Sequence, residues 1–301
     1  MDRGGHFILM EKSSELKQKF NVFDIIIYAV LILFTLVALY PFIYTLAGSL
    51  NHAEDLEYGP VWLIPRKFTF ASYIVELADT RLYRAMLNTF LSTVLGVILA
   101  LFVTSGAAYA FASRNLKAKK PLWVFNLIPM FLNGGMIPYY IVILRIGLFN
   151  SFWVYVIPSA YSVFNMIILQ SFFKGIENGL YEAAVLDGAS EYRIWLQIYV
   201  PLSKSALITI ALWIIVGKWN SYMPTMIYTN RTEDMWLLQF YLMRLIRDGA
   251  VPDWRGADVS AVSADTLSFA AIVITSLPIV ILYPFLSRFF TKGISLGSIK
   301  G

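Results

Sequence analysis

From Ile25 to Leu46 the chain carries no charged residue. Such a stretch is longer than the apolar core of a cleavable signal peptide, about 15 residues at most, and matches a retained membrane helix of about 20. Five comparable stretches follow. The six spans are read as 24–50, 87–110, 122–144, 152–173, 205–229 and 266–287. Unpaired backbone amides are costly in hydrocarbon, so a spanning segment must be a helix or part of a closed barrel. Barrel strands alternate in polarity over about 10 residues, and these runs are too long and too evenly apolar for that. The expected fold class is all-α, a polytopic membrane protein with six transmembrane helices. Composition agrees: 58% of residues are hydrophobic and 14% charged, against about 25% charged in a soluble domain.

The same composition removes several kinds of chemistry. There is no cysteine, hence no disulfide, thiolate metal site or cysteine nucleophile. The only histidines are His6 and His52, too few for a histidine-built metal centre. GISLG at 293–297 matches the spacing of a nucleophile elbow, but that motif needs a strand–turn–helix and a histidine partner. No phosphate loop of the G-x-x-x-x-G-K-[ST] type occurs. The chain is therefore expected to be no enzyme, to hold no metal or cofactor, and to draw energy from elsewhere. A net charge of +5 is explained by the cytoplasmic bias of Lys and Arg in membrane proteins, without nucleic acid.

That bias sets the orientation. With the N-terminus inside, segments 1–23, 111–121, 174–204 and 288–301 hold 14 Lys and Arg, and the outer segments 51–86, 145–151 and 230–265 hold 9 over the same total length. Both termini are thus expected in the cytoplasm. The domain plan is a tail over 1–23, a membrane domain over 24–287 and a second tail over 288–301.

One cytoplasmic loop stands apart. Residues 182–202 read EAAVLDGASEYRIWLQIYVPL. Residues 176–187 contain no proline and favour a helix. Asp187-Gly188 is a turn signal, because glycine accepts the left-handed geometry of a helix end. Ser190 is placed to cap a second short helix, and Pro201 marks its end or a kink. The expected result is a helix–turn–helix knob at about 174–204, suited to docking a soluble partner.

Glu-Ala-Ala, then Gly188 after a short gap, then Ile198-Tyr199-Val200-Pro201, resembles the coupling-loop signature of bacterial ABC importer permeases, with Val200 where leucine is usual. AAYAFASRNLKAKKPL (107–122) resembles a span end and basic loop of sugar permeases. NGGMIPYY (133–140) and LGSIKG (296–301) resemble the branch handling oligosaccharides from complex polysaccharides such as alginate or pectin fragments. The resemblance implies a type I importer fold and a heterodimer with a second homologous permease. It also implies two cytoplasmic ATPases that bind ATP and Mg, and an extracytoplasmic solute-binding protein that delivers the sugar. Glu182, Ala183, Ala184, Asp187, Gly188, Ile198 and Pro201 would then make the ATPase-coupling element. Glu182 would be its charged contact, where an ordinary loop glutamate is merely solvated. The C-terminal tail, expected to be extended, would reach toward the ATPase interface.

The substrate route should be polar. Lys218 is the only basic residue well inside a span, and Trp219 and Asn220 stand beside it. An indole face suits a sugar ring, an amide suits hydroxyls, and a buried ammonium attracts an acidic sugar's carboxylate. The bland alternative is a snorkelling lysine or one paired with an outer acid. Asn133, Asn165 and Gln170 either line the route or hydrogen-bond between helices. Pro129, Gly134, Gly135 and Pro138 interrupt span three, as backbone beside a water-filled cavity or a packing kink would. The outer segment 230–265, with Trp236 and Trp254, is read as a surface for the binding protein. The competing functional readings are a permease for polyols or glycerol phosphate, and an ATP-independent secondary carrier. The carrier would need acids within its spans, whereas Asp24 and Asp265 lie only at span edges.

Overall fold

The computed structural model describes residues 22–113, 115–132, 134–249 and 259–297. Among them the secondary structure is helical, with one isolated bridge between Asn51 and Phe68. Three helices are long and apolar enough to cross a bilayer unaided: α1 (Val22–Ser49), α3 (Thr80–Ala112) and α11 (Ala264–Gly297, apolar through Pro284). α2 (Ala71–Ala78) lies between the first two. The other three crossings involve bent pairs. α4 (Lys119–Phe131) meets α5 (Met136–Arg145) at 115° and the turns at 152–159 meet α6 (Val163–Lys174) at 45°; α9 (Lys204–Trp219) is entered at 82° from the segment 191–202, which itself lies outside the crossing.

Two expectations are revised, and the interruption expected in span three takes a definite shape. Span three is interrupted, as its prolines and glycines led one to expect, into α4 and α5. Leu132 is extended and Gly135 has φ of +88°, a conformation that glycine tolerates and that ends a right-handed helix. Span five ends at Trp219 rather than 229; beyond it, Thr225–Thr229 forms a single π turn behind Pro224. The last helix runs through Gly297, so the backbone at 292–297, expected as extended tail, is helical. GISLG therefore lies within a helix and not on a strand–turn–helix. The N-terminal tail to residue 21, Arg114, Asn133, Trp254 and residues 298–301 lie outside the described residues.

α1 presents apolar side chains on every side from Ile25 to Leu46, and only Ala47, Gly48 and Ser49 are buried. A helix apolar all round belongs in lipid. At its end Gly48 lets α11 come close: a Cβ there would lie 2.6 Å from the Phe269 ring. α3 buries a stripe of small residues, among them Ala85, Thr89, Ser92, Gly96, Ala100, Thr104 and Ala108. Recurring every three or four positions, they let neighbouring backbones approach, which is how membrane helices pack without a hydrophobic driving force.

Two cores sit at the opposite ends of α3. At its start, Leu82 and Ala85 pack with Trp219, Trp236, Phe240, Tyr241 and Ile274. This end is capped by α10 (Leu238–Asp248), a strongly one-sided helix tied down where the Leu238 amide donates to Thr89 Oγ1 at 2.8 Å and the Asn88 amide donates to the Trp236 carbonyl at 3.1 Å. At the far end of α3, Ala108 and Phe111 pack with Met166, Leu169, Phe173, Ile194, Trp195 and Tyr199.

The capped end holds an acid with an altered proton affinity. Glu76 of α2 is fully buried, and neither carboxyl oxygen has a hydrogen-bond partner. The Tyr241 hydroxyl lies near both acids and donates to Asp79 at 3.1 Å, while Arg81 pairs with Asp79 at 2.8 Å. Burial, assisted by the Asp79 charge, pushes Glu76 up from 4.5 to about 7. An acid with a raised folded-state value favours the fold most below its unfolded value and loses that contribution as pH rises. Stability of the purified protein against denaturant should therefore fall between pH 4.5 and about pH 7. Glu76→Gln should remove this slope and raise stability above that range by roughly 3 kcal/mol; an unchanged slope would contradict the assignment.

Candidate functional site

At the Phe111 end of α3 a helical hairpin leaves the bundle. Its first arm is α7 (Asn178–Leu186). The arm ends where the Gly188 amide donates to the Val185 carbonyl (3.0 Å) and the Ala189 amide to the Ala184 carbonyl (2.9 Å). Paired closing bonds of this kind around a left-handed residue define a Schellman end, and Gly188 has φ of +77°. A Cβ on Gly188 would meet nothing within 4 Å, so the need for glycine comes from the backbone alone. Gly188→Ala should lower thermal stability by about 1–2 kcal/mol while Gly188→Asn, better tolerated at such angles, should lose less; equal losses would contradict this.

The second arm is α8 (Glu191–Ile194), capped by Ser190, whose Oγ accepts from the Arg193 amide. It continues through a π turn at Trp195–Tyr199 into Val200–Leu202. The widened turn lies immediately before Pro201, which has no N–H to continue the α-helical ladder. Ile194, Trp195 and Tyr199 root this arm in the core, and Ile198 packs against it half-buried. Tyr199 meets Tyr109 and Phe173 edge-on, with ring centroids at 4.9 and 5.5 Å.

Glu191 joins the parts. Its carboxylate accepts from Tyr181 of the first arm at 2.8 Å and from Tyr109 of α3. One side chain thus pins both arms to a membrane helix. Distal to this joint, Glu182, Ala183, Asp187 and Gly188 are exposed, whereas Ala184 packs on the core. Val185 and Leu186 are also bare, Leu186 at 89% exposure. An apolar tip on a rigid stem outside the lipid-facing helices is a surface shaped for a protein partner.

The bundle interior holds a second feature, a cavity of about 430 Å³ lined by Lys218 and Asn165 with Tyr139, Tyr161, Ser162 and Ser221. Lys218 Nζ donates to the Tyr155 carbonyl and to Ser159 Oγ, both at 2.6 Å. No carboxylate pairs with it among the described residues. The Tyr155 hydroxyl holds the π turn in place, sharing hydrogen bonds with Thr225 (3.0 Å) and Thr229 (2.5 Å) and donating to the Met235 carbonyl (2.7 Å). The cavity therefore has aromatic edges, hydroxyls and one ammonium group among largely apolar walls.

Lys218 and Asn165 come together in this cavity, and Trp219 and Asn220 do not join them. Trp219 is buried in the capped-end core, where its Nε1–H donates to the Thr275 carbonyl at 3.1 Å. Asn220 turns back onto the Val216 carbonyl at 2.9 Å. Gln170 donates to the Phe111 carbonyl at 2.7 Å, an interhelical bond. Trp236, in the segment read as a docking surface, is buried and donates to the Asn230 carbonyl at 3.0 Å. Sequence reasoning did not single out the tyrosines of the cavity or Gly96. A Cβ at Gly96 would lie 2.1 Å from Lys218 Cε, so this glycine vacates the space the lysine occupies.

Up to six crossings, three of them broken, with a hairpin standing off one end, make a polytopic membrane protein. Residues 121–296 match the family described as binding-protein-dependent transport system inner membrane component, and the chain belongs to that family. It is 33% identical over 289 residues to the polygalacturonan/rhamnogalacturonan transport system permease protein YtcP of Bacillus subtilis (strain 168), covering 94% of this chain and 100% of that protein. It is 33% identical over 275 residues to protein LplC of the same organism, covering 88% and 90%. The fold is similar, with a TM-score of 0.82 and 30% identity, to a chain from the crystal structure of a bacterial ABC transporter involved in the import of the acidic polysaccharide alginate, covering 89% of this chain and 96% of that one. The chain is accordingly an inner-membrane permease component, with the type I importer fold that the coupling-loop stretch led one to expect.

Proposed function

We propose that this chain is the permease subunit of an ATP-binding-cassette importer that carries oligosaccharides, including uronate-containing ones, across the bacterial cytoplasmic membrane. Both termini face the cytoplasm. A second homologous permease completes the pathway, two ATPase subunits bind ATP and Mg, and an extracytoplasmic solute-binding protein delivers the sugar. The observation that carries this reading is the hairpin: its stem is pinned to α3 through Glu191, and its tip bares Val185 and Leu186 beside Glu182 and Gly188. A rigid peg of this kind passes a partner's movement to the membrane helices, whereas a loose loop would absorb it. In this reading Ala183 and Asp187 contact the ATPase, Ala184 seats the first arm, and Ile198 and Pro201 fix the angle of the second.

Support for an acidic substrate comes from Lys218, an ammonium lining a largely apolar cavity with no carboxylate partner among the described residues. A desolvated cation attracts a uronate more strongly than it would in water. The names of the relatives point the same way, since polygalacturonan is a polyuronate and alginate an acidic polysaccharide. Asn165 contributes hydrogen bonds to sugar hydroxyls; Trp219 and Asn220 shape the helix that carries Lys218 without facing the sugar. The test is uptake of neutral and uronate oligosaccharides by the assembled complex, with and without ATP hydrolysis. Accumulation should require hydrolysis, and Lys218→Ala should depress uronate uptake roughly tenfold more than neutral uptake, the worth of one charge-assisted hydrogen bond. Accumulation without ATP would favour a secondary carrier, and equal losses for both sugars would remove the uronate assignment.

A further inference from the structure

A second cavity, a polar one of about 540 Å³, lies at the root of the hairpin, between the loop after α3, the end of α6 and the start of α7. Lys119 and Lys174 both line it, close enough for their charges to repel. Neither has a carboxylate within ion-pair distance among the described residues. Lys119 Nζ donates to the Ser113 carbonyl at 2.8 Å, which leaves two of its three N–H groups for another acceptor. α7 begins at this cavity with Asn178, and no side chain caps its first turn. The amides of Asn178 and Gly179 add partial positive charge there, while that of Leu180 donates to the Glu177 carbonyl at 3.2 Å. Three acids stand nearby, one of them Glu177 at the N-cap position of α7 itself. Glu191 is engaged by two tyrosines, and Glu182 lines the cavity without pairing with either lysine.

We propose that this cavity binds a phosphate group. Two ammonium groups, the start of α7 and Asn178 line it, donors of the kind a phosphate takes. On the proposed orientation, on which this site rests, the cavity lies at the cytoplasmic membrane boundary. The phosphate then comes from an anionic lipid headgroup, as in basic pockets between membrane helices, or from a soluble cytoplasmic phosphate. Because α7 forms one wall, an occupied site stiffens the hairpin's root.

The test uses the complete importer in nanodiscs. In one arm, complexes from mixed phosphatidylcholine and phosphatidylglycerol discs are extracted, and retained lipid is counted by native mass spectrometry. In the other, phosphatidylcholine discs are titrated with inorganic phosphate by equilibrium dialysis. The wild type should hold phosphatidylglycerol in the first arm, or phosphate in the second, at least about tenfold more tightly than Lys119→Gln/Lys174→Gln. Lys117→Gln/Lys120→Gln, which removes equal charge from the same loop outside the cavity, should match the wild type. Lys174→Gln alone should give an intermediate loss, which covers the case where the double variant fails to assemble. Retention in the first arm assigns a headgroup, and binding in the second a soluble phosphate. The proposal is overturned if neither arm separates wild type from the cavity variants, or if the loop control loses as much. ATP-driven uptake by the same particles reports separately on the permease reading, so a transporting complex without phosphate binding rejects this site alone.

Discussion

Glu191→Ala should uncouple transport while leaving the importer assembled: ATP-driven uptake should fall roughly tenfold, and the ATPase should lose its stimulation by loaded binding protein. The substitution removes the acceptor for two hydroxyls on different elements, Tyr181 of the hairpin and Tyr109 of α3. Each hydrogen bond to a charged group contributes about 1.5–3 kcal/mol. Glu191 is exposed, so solvent screening favours the lower end of that range, and even one such bond corresponds to about a tenfold shift in the pinned population. The hairpin remains folded because Ile194, Trp195 and Tyr199 still root it in the core. Tyr109→Phe should reproduce much of the defect, since it cuts the link to α3, while Glu191→Gln, which keeps an acceptor, should retain intermediate coupling. Unchanged uptake in Glu191→Ala with normal assembly would show that the joint transmits nothing.

Gly96→Ala should imitate Lys218→Ala. A methyl group at Gly96 would sit 2.1 Å from Lys218 Cε and 2.5 Å from its Nζ. α3 and α9 pack closely here, so the lysine must leave the Tyr155 carbonyl and Ser159 Oγ. Uptake of a uronate oligosaccharide should drop roughly tenfold, with neutral uptake much less affected, as for loss of one charge-assisted contact. Residues acting through one contact are not additive, so the Gly96→Ala/Lys218→Ala double variant should transport uronate no worse than either single variant. Additive losses, or equal losses for both sugars, would mean that the glycine serves helix packing alone.

What was legible in the sequence was whatever depends on neighbouring residues. The run from Ile25 to Leu46 identifies a lipid-facing helix without help from the rest of the chain. The hairpin was readable because Asp187-Gly188, Ser190 and Pro201 each act within a few positions of themselves, through left-handed geometry, capping and a missing N–H. What depends on distant partners was hidden. Trp219 looked like a sugar platform beside Lys218, yet its indole is held by Thr275, more than fifty positions away. Trp236 looked like a surface residue because its loop is polar, yet it packs against Phe240 and under Arg244. Nothing local marks Glu191 either, since its partners Tyr181 and Tyr109 lie 10 and 82 positions away. The break in span three was legible in its prolines and glycines, but composition alone does not fix the angle at which Gly135 redirects the chain.

The central claim is that the hairpin tip contacts an ATPase and transmits its work. The chain contains no cysteine, so Leu186→Cys supplies a single thiol at the most exposed point of the tip. The direct measurement is a short-linker crosslink from that thiol in the assembled importer, run alongside ATP-driven uptake. A covalent product with the ATPase subunit, together with loss of uptake once it forms, is the predicted result. A complex that imports sugar normally while Cys at 186 stays free to react with a bulky solvent-borne maleimide would contradict the account.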